Sequence, residues 1–156
     1  MRVLFVCLGN ICRSPTAEGV LRYKLREAGL ADQVEVASAG TGGWHVGKAP
    51  DKRSQAAAKL RGYDLSMQRA QQVTRADFST YDLILAMDNS NLSDLMALQP
   101  AKGKSKAELD LFLRRYQSQV DEVPDPYYDG NQGFEQVLDL IESACDRLVI
   151  ELKGRL

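Results

Sequence analysis

The sequence predicts an α/β fold in which a four-stranded parallel sheet, of strand order 2-1-3-4, carries helices on both faces. Short apolar runs of β-forming residues alternate with longer segments of helical periodicity, as in sheets built with helical crossovers. Right-handed crossovers leave few topologies, and this order places the first strand centrally. No repeat or linker divides the chain, so residues 1–156 are expected to form one domain with three flavodoxin-like layers.

Four apolar runs are the predicted strands. The first is Val3–Val6 and the second is Val34–Ser38. The third is Tyr81–Met87, and the fourth is the short run Leu109–Phe112. Each run has the length of a buried strand rather than of a helix.

Helices are predicted from caps and from apolar stripes. The first helix is predicted to have Ser14 as its N-cap, Pro15 in its first position and Glu18 in its first turn, and to end at Gly29. The others are predicted over Asp51–Leu60, from the cap Asp88 to near Pro100, and along the stripe Phe134, Val137, Leu138, Ile141, Ala144, Cys145, Leu148, Val149 and Leu152. Because Cys145 lies within that stripe, it is interpreted as a small buried hydrophobic residue.

Composition disfavours several functional classes. A net charge of -1 gives no sign of nucleic-acid binding, and no apolar stretch approaches membrane-spanning length. Three cysteines at uneven spacing do not form a disulfide framework, and without a secretory signal the expected location is cytoplasmic. With one histidine and no Cys/His cluster of zinc spacing, the chemistry is expected to need neither a metal nor a cofactor.

The stretch Cys7–Ser14 joins the first strand to the following helix and is the strongest functional candidate. Ligands bind at the carboxyl ends of strands in open parallel sheets, and amide groups at a helix N-terminus favour an anion such as phosphate. Gly9 lets the backbone curl there. The Cys7 thiol, beside these amides and Arg13, should ionise readily and face the phosphorus that Arg13 helps to hold. The alternative is a buried structural cysteine at the end of a core strand.

A second candidate is the proline-containing segment 123–130, between the fourth strand and the last helix. It follows a strand, so it is expected at the same sheet edge as Cys7. Asp125, held between two prolines, is a candidate donor of the proton that a leaving oxygen needs. Tyr127 and Tyr128 offer flat walls for an aromatic leaving group. The alternative is a surface turn, for which Asp, Pro and Gly are typical.

Trp44 directly follows the glycine-containing turn 39–43. It is either a core aromatic or part of a pocket wall. Its neighbour His45 could serve as a general base, but nothing nearby in the sequence orients it. A structural or surface role is therefore favoured for His45.

The pattern Cys-x-Gly-Asn-x-Cys-Arg-Ser, paired with the late segment Asp125–Tyr128, resembles the low-molecular-weight protein-tyrosine phosphatase family, in its eukaryotic-like branch. The resemblance covers essentially the whole chain. It implies hydrolysis of phosphotyrosine through a phosphocysteine, with Cys7 as nucleophile, Arg13 as phosphate clamp and Asp125 as acid and then base. It implies phosphotyrosine proteins as partners and inorganic phosphate or other oxyanions in the loop. We separately expect a monomer, or a weak homodimer through exposed aromatic side chains near Tyr127.

The resemblance also implies roles for the surrounding residues. Ser14 would hydrogen-bond the sulfur, Asn10 would brace the loop, and Ser38 would support that network. Cys12 resembles a second cysteine that can form a reversible disulfide with Cys7. The phosphate- and substrate-binding residues that it implies are Leu8, Gly9, Asn10, Ile11, Cys12, Ser14, Trp44, Tyr127 and Tyr128.

Some positions depart from the family pattern and leave alternatives open. Many members have a histidine where Gln68 stands, and Asp129 is a competing proton donor. An arsenate reductase of the same fold is the alternative function, but thioredoxin-coupled members need cysteines after the third strand, where this chain has Ala86–Asn89. Protein-arginine phosphatases carry Thr where Ile11 stands. A phosphotyrosine-binding module without catalysis would not require the Cys7 thiol.

Overall fold

A computed structural model, which describes residues 1–101, 103–126 and 130–156, confirms the predicted sheet. Four parallel strands lie in the order β2-β1-β3-β4. Each strand begins and ends within two residues of its predicted position. Their bounds are β1 Arg2–Cys7, β2 Glu35–Gly40, β3 Leu83–Ala86 and β4 Glu108–Leu111.

The central position of β1 fixes where the site lies. Val3 pairs with Val36 on one side and with Leu83 on the other, and Cys7 ends the strand opposite Gly40. From Val3 to Cys7 every residue of β1 is buried, as expected for a strand covered on both faces. The loop that follows Cys7 therefore emerges at the middle of the carboxyl edge of the sheet.

Six helices lie within the described ranges, and each contributes to one of two apolar clusters that also contain strand residues. One apolar cluster joins α1 and α6 to Val3, Phe5 and Cys7, and the other joins α3 and α4 to Leu4 and Val6. This alternation along β1 is the two-residue period of a strand buried on both faces. The helix bounds are α1 Arg13–Glu27, α2 Lys52–Leu60, α3 Asp77–Thr80, α4 Asn89–Leu98, α5 Phe112–Arg115 and α6 Gly130–Arg155.

The predicted helix cap Asp88 is confirmed, and Asp51, which was predicted only near the start of a helix, is a cap as well. The Asp51 carboxylate accepts hydrogen bonds from the backbone N–H groups of Arg53 at 2.8 Å and Ser54 at 3.4 Å. The Asp88 carboxylate accepts one from the N–H of Asn91 at 2.7 Å. Both carboxylates thus satisfy amide groups that have no partner inside their helix.

The predicted cap of α1 was wrong. The helix begins at Arg13, with Cys12 in the cap position and no side-chain cap bond, so Ser14 is already its second residue. The Ser14 hydroxyl is fully buried and lies 2.9 Å from the Cys7 sulfur, so it is committed to the loop and not to the helix end. Glu18 lies beyond the first turn, and its buried carboxylate accepts a hydrogen bond from Ser38 at 2.8 Å.

The apolar stripe of α6 is confirmed as part of the core. Of its predicted members, all but the partly buried Val149 are buried, and Cys145 is fully enclosed. Burial raises the pKa of the Cys145 thiol, so it stays neutral. α6 has 26 residues, yet no helix of the described part of the chain is long and apolar enough to cross a membrane.

Phe112→Ala should lower the free energy of unfolding by about 3–5 kcal/mol, because it leaves a cavity in the core. Phe112 is fully buried, and its ring meets those of Phe5 at 5.1 Å and Tyr116 at 5.9 Å edge to face. Urea denaturation measures the loss. The control Ile150→Ala, at a position 71% exposed on α6, should change the free energy by less than about 0.5 kcal/mol. A loss under about 1 kcal/mol for Phe112→Ala would contradict this packing.

Candidate active site

A cavity of about 260 Å³ opens at the carboxyl end of β1. Three separate segments line it: the loop after β1, the turn after β2, and the segment that leads towards α6. The lining residues are Cys7, Leu8, Gly9, Ile11, Cys12, Arg13, Trp44, His45 and Asp125. The two segments that the sequence placed at one sheet edge therefore meet in a single cavity.

The loop from Leu8 to Cys12 is held tightly against its neighbours. Asn10 adopts a left-handed backbone with φ of 57°, which asparagine tolerates better than most residues. A Cβ at Gly40 would lie 2.8 Å from the Leu8 carbonyl oxygen, so only glycine lets β2 pass this close. Backbone hydrogen bonds fix three loop carbonyls: Thr41 to Cys7 at 2.9 Å, Gly42 to Leu8 at 2.9 Å and Asp51 to Ile11 at 2.8 Å.

The Cys7 sulfur has two close polar neighbours besides the helix N-terminus. The Ser14 hydroxyl oxygen lies 2.9 Å away, and the Asn10 backbone N–H donates to the sulfur at 3.3 Å. The residue is 3% exposed but lines the cavity. Hydrogen-bond donors at these positions, with the positive end of α1 beside them, surround the sulfur with positive partial charge.

The Arg13 guanidinium is 3% exposed and is held from one side. Its Nη1 donates to Asp88 Oδ2 at 2.6 Å and to the Val123 carbonyl at 3.1 Å. Burial alone would lower the pKa of Arg13, but the charges of Cys7, Asp88 and Asp125 outweigh it and raise that pKa. The side chain is therefore a fixed cation at the cavity floor.

Asp88 is a site residue that the sequence analysis placed only as a helix cap. One carboxylate oxygen caps α4 through Asn91, and the other pairs with Arg13. Its position directly after β3, at the same edge as Cys7, was the signal that could have revealed this second role.

Asp125 reaches the cavity as predicted. Its Oδ2 lies 3.9 Å from Nη2 of Arg13, and its side chain is about half exposed. Tyr127, Tyr128 and Asp129, which were proposed as ring walls and as a competing acid, lie outside the described residues.

Cys12 differs from Cys7 although both line the cavity. It is 5% exposed, and burial raises the pKa of its thiol to about 12, against the opposing hydrogen bond with Ser54. It therefore stays a neutral thiol at physiological pH. Both cysteines are free in this structure.

The cavity rim is apolar. Leu8 is 42% exposed and Trp44 is 69% exposed, so Trp44 belongs to the pocket wall and not to the core. His45 also lines the cavity, a position that the sequence analysis did not favour. The local sequence could not reveal it, because the turn is placed there by contacts with the distant loop after β1.

Asn10, Ser14 and Ser38 lie behind the cavity rather than on its surface. All three are buried. The Asn10 amide nitrogen donates to Ser14 Oγ at 2.8 Å and to Ser38 Oγ at 2.9 Å. The predicted loop-bracing contacts of Asn10 are therefore present.

The residues around this network were only partly foreseen. The Asn10 side-chain oxygen accepts from the backbone N–H of Gln71 at 3.0 Å, and Glu18 accepts from Ser38. Gln68, where many family members have histidine, instead donates to the Pro15 carbonyl at 2.9 Å.

Comparisons with known proteins decide the family. The family model described as low molecular weight phosphotyrosine protein phosphatase matches residues 2–155. The chain is a member of that family. A low molecular weight protein-tyrosine-phosphatase of Streptomyces coelicolor is 44% identical over 156 residues, which covers 97% of this chain and 93% of the relative.

Solved structures of this phosphatase family agree with the fold. A protein tyrosine phosphatase from Entamoeba histolytica has a TM-score of 0.90 and 40% identity, and the match covers 100% of this chain and 99% of that one. A Drosophila arginine phosphatase has a TM-score of 0.91 and 32% identity, and the match covers 98% of each chain.

In this phosphatase, no group of three or more His, Cys, Asp or Glu side chains among residues 1–101, 103–126 and 130–156 is arranged to hold a metal ion.

Asp88→Asn should weaken catalysis without unfolding α4. Asparagine caps helices about as well as aspartate, so the change removes mainly the charge that holds Arg13. We expect kcat/KM for p-nitrophenyl phosphate to fall about 10- to 100-fold. Asp94→Asn, an exposed carboxylate on the same helix, is the matched control and should leave the rate unchanged. Equal rates for Asp88→Asn and wild type would show that Arg13 needs no carboxylate to orient it.

Proposed function

We propose that residues 1–156 form one phosphatase domain that hydrolyses phosphotyrosine, and aryl phosphate monoesters generally, through a phosphocysteine intermediate. The observation that carries this proposal is that Cys7, Arg13 and Asp125 line one cavity at the carboxyl end of β1. A nucleophile, a cation and a carboxyl group are the three parts that transfer of a phosphoryl group from an aryl oxygen needs.

In the first step, the Cys7 thiolate attacks phosphorus while Arg13 and the loop amides hold the phosphate oxygens. The S–P bond forms as the bond from phosphorus to the tyrosine oxygen breaks. Asp125, protonated in the substrate complex, gives its proton to that leaving oxygen, so a neutral phenol departs. Because Arg13 is already held by Asp88, it needs no reorientation as charge develops on the phosphate oxygens.

In the second step, the Asp125 carboxylate takes a proton from water, and the water oxygen attacks phosphorus. The S–P bond breaks, which returns the Cys7 thiolate and releases inorganic phosphate. Asp125 is again protonated, so the cycle closes with water as the only co-reactant. The hydrogen bond between Ser14 and the Cys7 sulfur eases the departure of the thiolate.

The apolar rim supports an aryl substrate. Leu8, Ile11 and Trp44 line the cavity beside the phosphate-binding loop, and flat aromatic rings pack well on such side chains. The match to an arginine phosphatase makes phosphoarginine the most informative competing substrate. Phosphotyrosine peptides should be turned over faster, because a charged guanidinium loses hydration against Ile11.

Other proposals concern where and with what the protein works. We expect its partners to be phosphotyrosine proteins and its setting to be the cytoplasm, since three free cysteines fit a reducing compartment. A monomer or weak homodimer is the expected state. Arsenate reduction is not favoured, because the matched family is a phosphatase family and Asp88–Asn89 occupy the position after β3.

Cys7→Ser should reduce hydrolysis of p-nitrophenyl phosphate by about a thousandfold or more, because an alkoxide forms far less readily than a thiolate. The assay contains EDTA, and vanadate should inhibit the wild-type protein. Vanadate binding by the variant, followed by calorimetry, shows that the loop remains folded. Turnover by Cys7→Ser at a tenth of the wild-type rate or more would remove Cys7 from the nucleophile role.

Asp125→Asn should harm substrates in proportion to how poorly their leaving group departs. We expect a loss of about 100- to 1000-fold in kcat for phenyl phosphate and about tenfold for p-nitrophenyl phosphate, whose leaving group needs no proton. Asp121→Asn, which changes an exposed carboxylate four residues before Asp125, is the control. Equal losses for both substrates would be inconsistent with an acid role for Asp125.

A further inference from the structure

The hydrogen bond between Ser14 and Cys7 has a direction that the 2.9 Å distance alone does not give. If the serine hydroxyl donates, it stabilises the thiolate. If the hydroxyl hydrogen instead points to the Ala39 carbonyl oxygen, 3.4 Å away, the sulfur loses that support. The direction is set by groups at the far ends of the buried network that joins Ser14, Asn10 and Ser38.

One end of the network is a group that can only donate. The backbone N–H of Gln71 lies 3.0 Å from the Asn10 side-chain oxygen, which fixes that oxygen towards Gln71. The Asn10 nitrogen therefore faces the two serines. Its two hydrogens go to Ser14 Oγ at 2.8 Å and Ser38 Oγ at 2.9 Å.

The other end is a group that accepts when ionised. The Glu18 carboxylate, 8% exposed, accepts the Ser38 hydroxyl hydrogen at 2.8 Å, so Ser38 must accept from Asn10. Arg22 pairs with the second carboxylate oxygen at 2.9 Å. Burial raises the pKa of Glu18, and Arg22 and Ser38 act against that rise; Tyr81 is the other titratable group that senses Glu18.

We propose that Glu18 is a positioning residue for the phosphatase reaction, which acts through Ser38 and Asn10 to leave the Ser14 hydroxyl hydrogen free for the Cys7 thiolate. The inference deepens the proposed function and rests on Cys7 being the nucleophile. Glu18 itself is not one of the residues that line the cavity. Glu18 acts by setting which group donates in three successive hydrogen bonds: Ser38 to Glu18, Asn10 to Ser38, and Asn10 to Ser14.

Glu18→Gln tests the direction of the hydrogen bond with Ser38, because glutamine has almost the same size and shape as glutamate. Arg22 can only donate, so the new amide oxygen turns towards Arg22 and the amide NH2 group faces Ser38. Ser38 then accepts where it donated, and its hydrogen is left to compete for the Asn10 oxygen. Only the Gln71 N–H then still holds the Asn10 oxygen in its place. In the fraction of molecules in which the Asn10 amide turns, its oxygen faces Ser14 and takes the hydroxyl hydrogen from the sulfur.

The primary readout is the rate at which iodoacetamide alkylates Cys7, followed by mass spectrometry as a function of pH. In Glu18→Gln we expect the midpoint of this profile to move up by about half to one pH unit. We expect kcat for p-nitrophenyl phosphate to fall about 3- to 10-fold with KM nearly unchanged. The exposed Glu27→Gln, at the end of the same helix, is the matched control and should leave both readouts unchanged.

A double-mutant cycle separates this role from a merely structural one. Ser38→Ala cuts the connection, so Glu18→Gln should cause no further shift in the Ser38→Ala protein. A folded Glu18→Gln protein with an unshifted midpoint, or full additivity of the two changes, would overturn the proposal.

If Glu18→Gln does not fold, substitution of the surface residue Arg22, the ion-pair partner of Glu18, provides a second test. Arg22→Gln removes the half-exposed cation that keeps Glu18 ionised, so alkylation of Cys7 at pH 6 should slow by about twofold or more. An unchanged rate would count against Glu18. Wild-type protein that is alkylated at Cys7 but lacks phosphatase activity would refute the proposed function alone, since the alkylation profile reports on the network without turnover.

Discussion

A buried guanidinium is the constraint on which the site depends. Arg13 is 3% exposed, and a cation so removed from water needs anions around it. Those anions come from three places in the chain: Cys7 at the end of β1, Asp88 at the end of β3, and Asp125 ahead of α6. Neutralising the Arg13 charge therefore requires the carboxyl ends of two neighbouring strands and a distant loop to lie close to the same guanidinium. The parallel sheet makes this feasible, because all of its carboxyl ends lie at one edge.

Elements that depend on local patterns could be predicted from the sequence, and elements that depend on distant partners could not. β1 follows from its unbroken apolar run, and α6 follows from the helical spacing of its apolar residues. Asp51 caps α2 through neighbours two and three residues away. Ser14 looked like a helix cap because Pro15 follows it, but the loop sulfur competes for its hydroxyl. Such competition between a helix end and a tertiary contact leaves no trace in the local sequence.

The same distinction applies inside the site. Cys7, Arg13 and Asp125 carry recognisable chemistry, so they could be proposed before their geometry was known. Glu18 and Gln71 were missed because they act on atoms that belong to residues far along the chain. Gln68 donates a hydrogen bond to the Pro15 carbonyl and does not bond to Asn10 or Ser38. In this chain the Glu18 carboxylate and the Gln71 backbone N–H lie at the two ends of the network. An ionised carboxylate only accepts and an N–H only donates, so these two groups set the direction of the hydrogen bonds between them.

The single tryptophan is an intrinsic fluorescence probe of the candidate active site. Trp44 lies at the rim of the cavity, is 69% exposed and belongs to neither of the two apolar clusters. Its fluorescence therefore registers what occupies the cavity, without an attached dye. By contrast, emission from Trp44 carries little information about packing around α6, which must be followed by other signals such as circular dichroism.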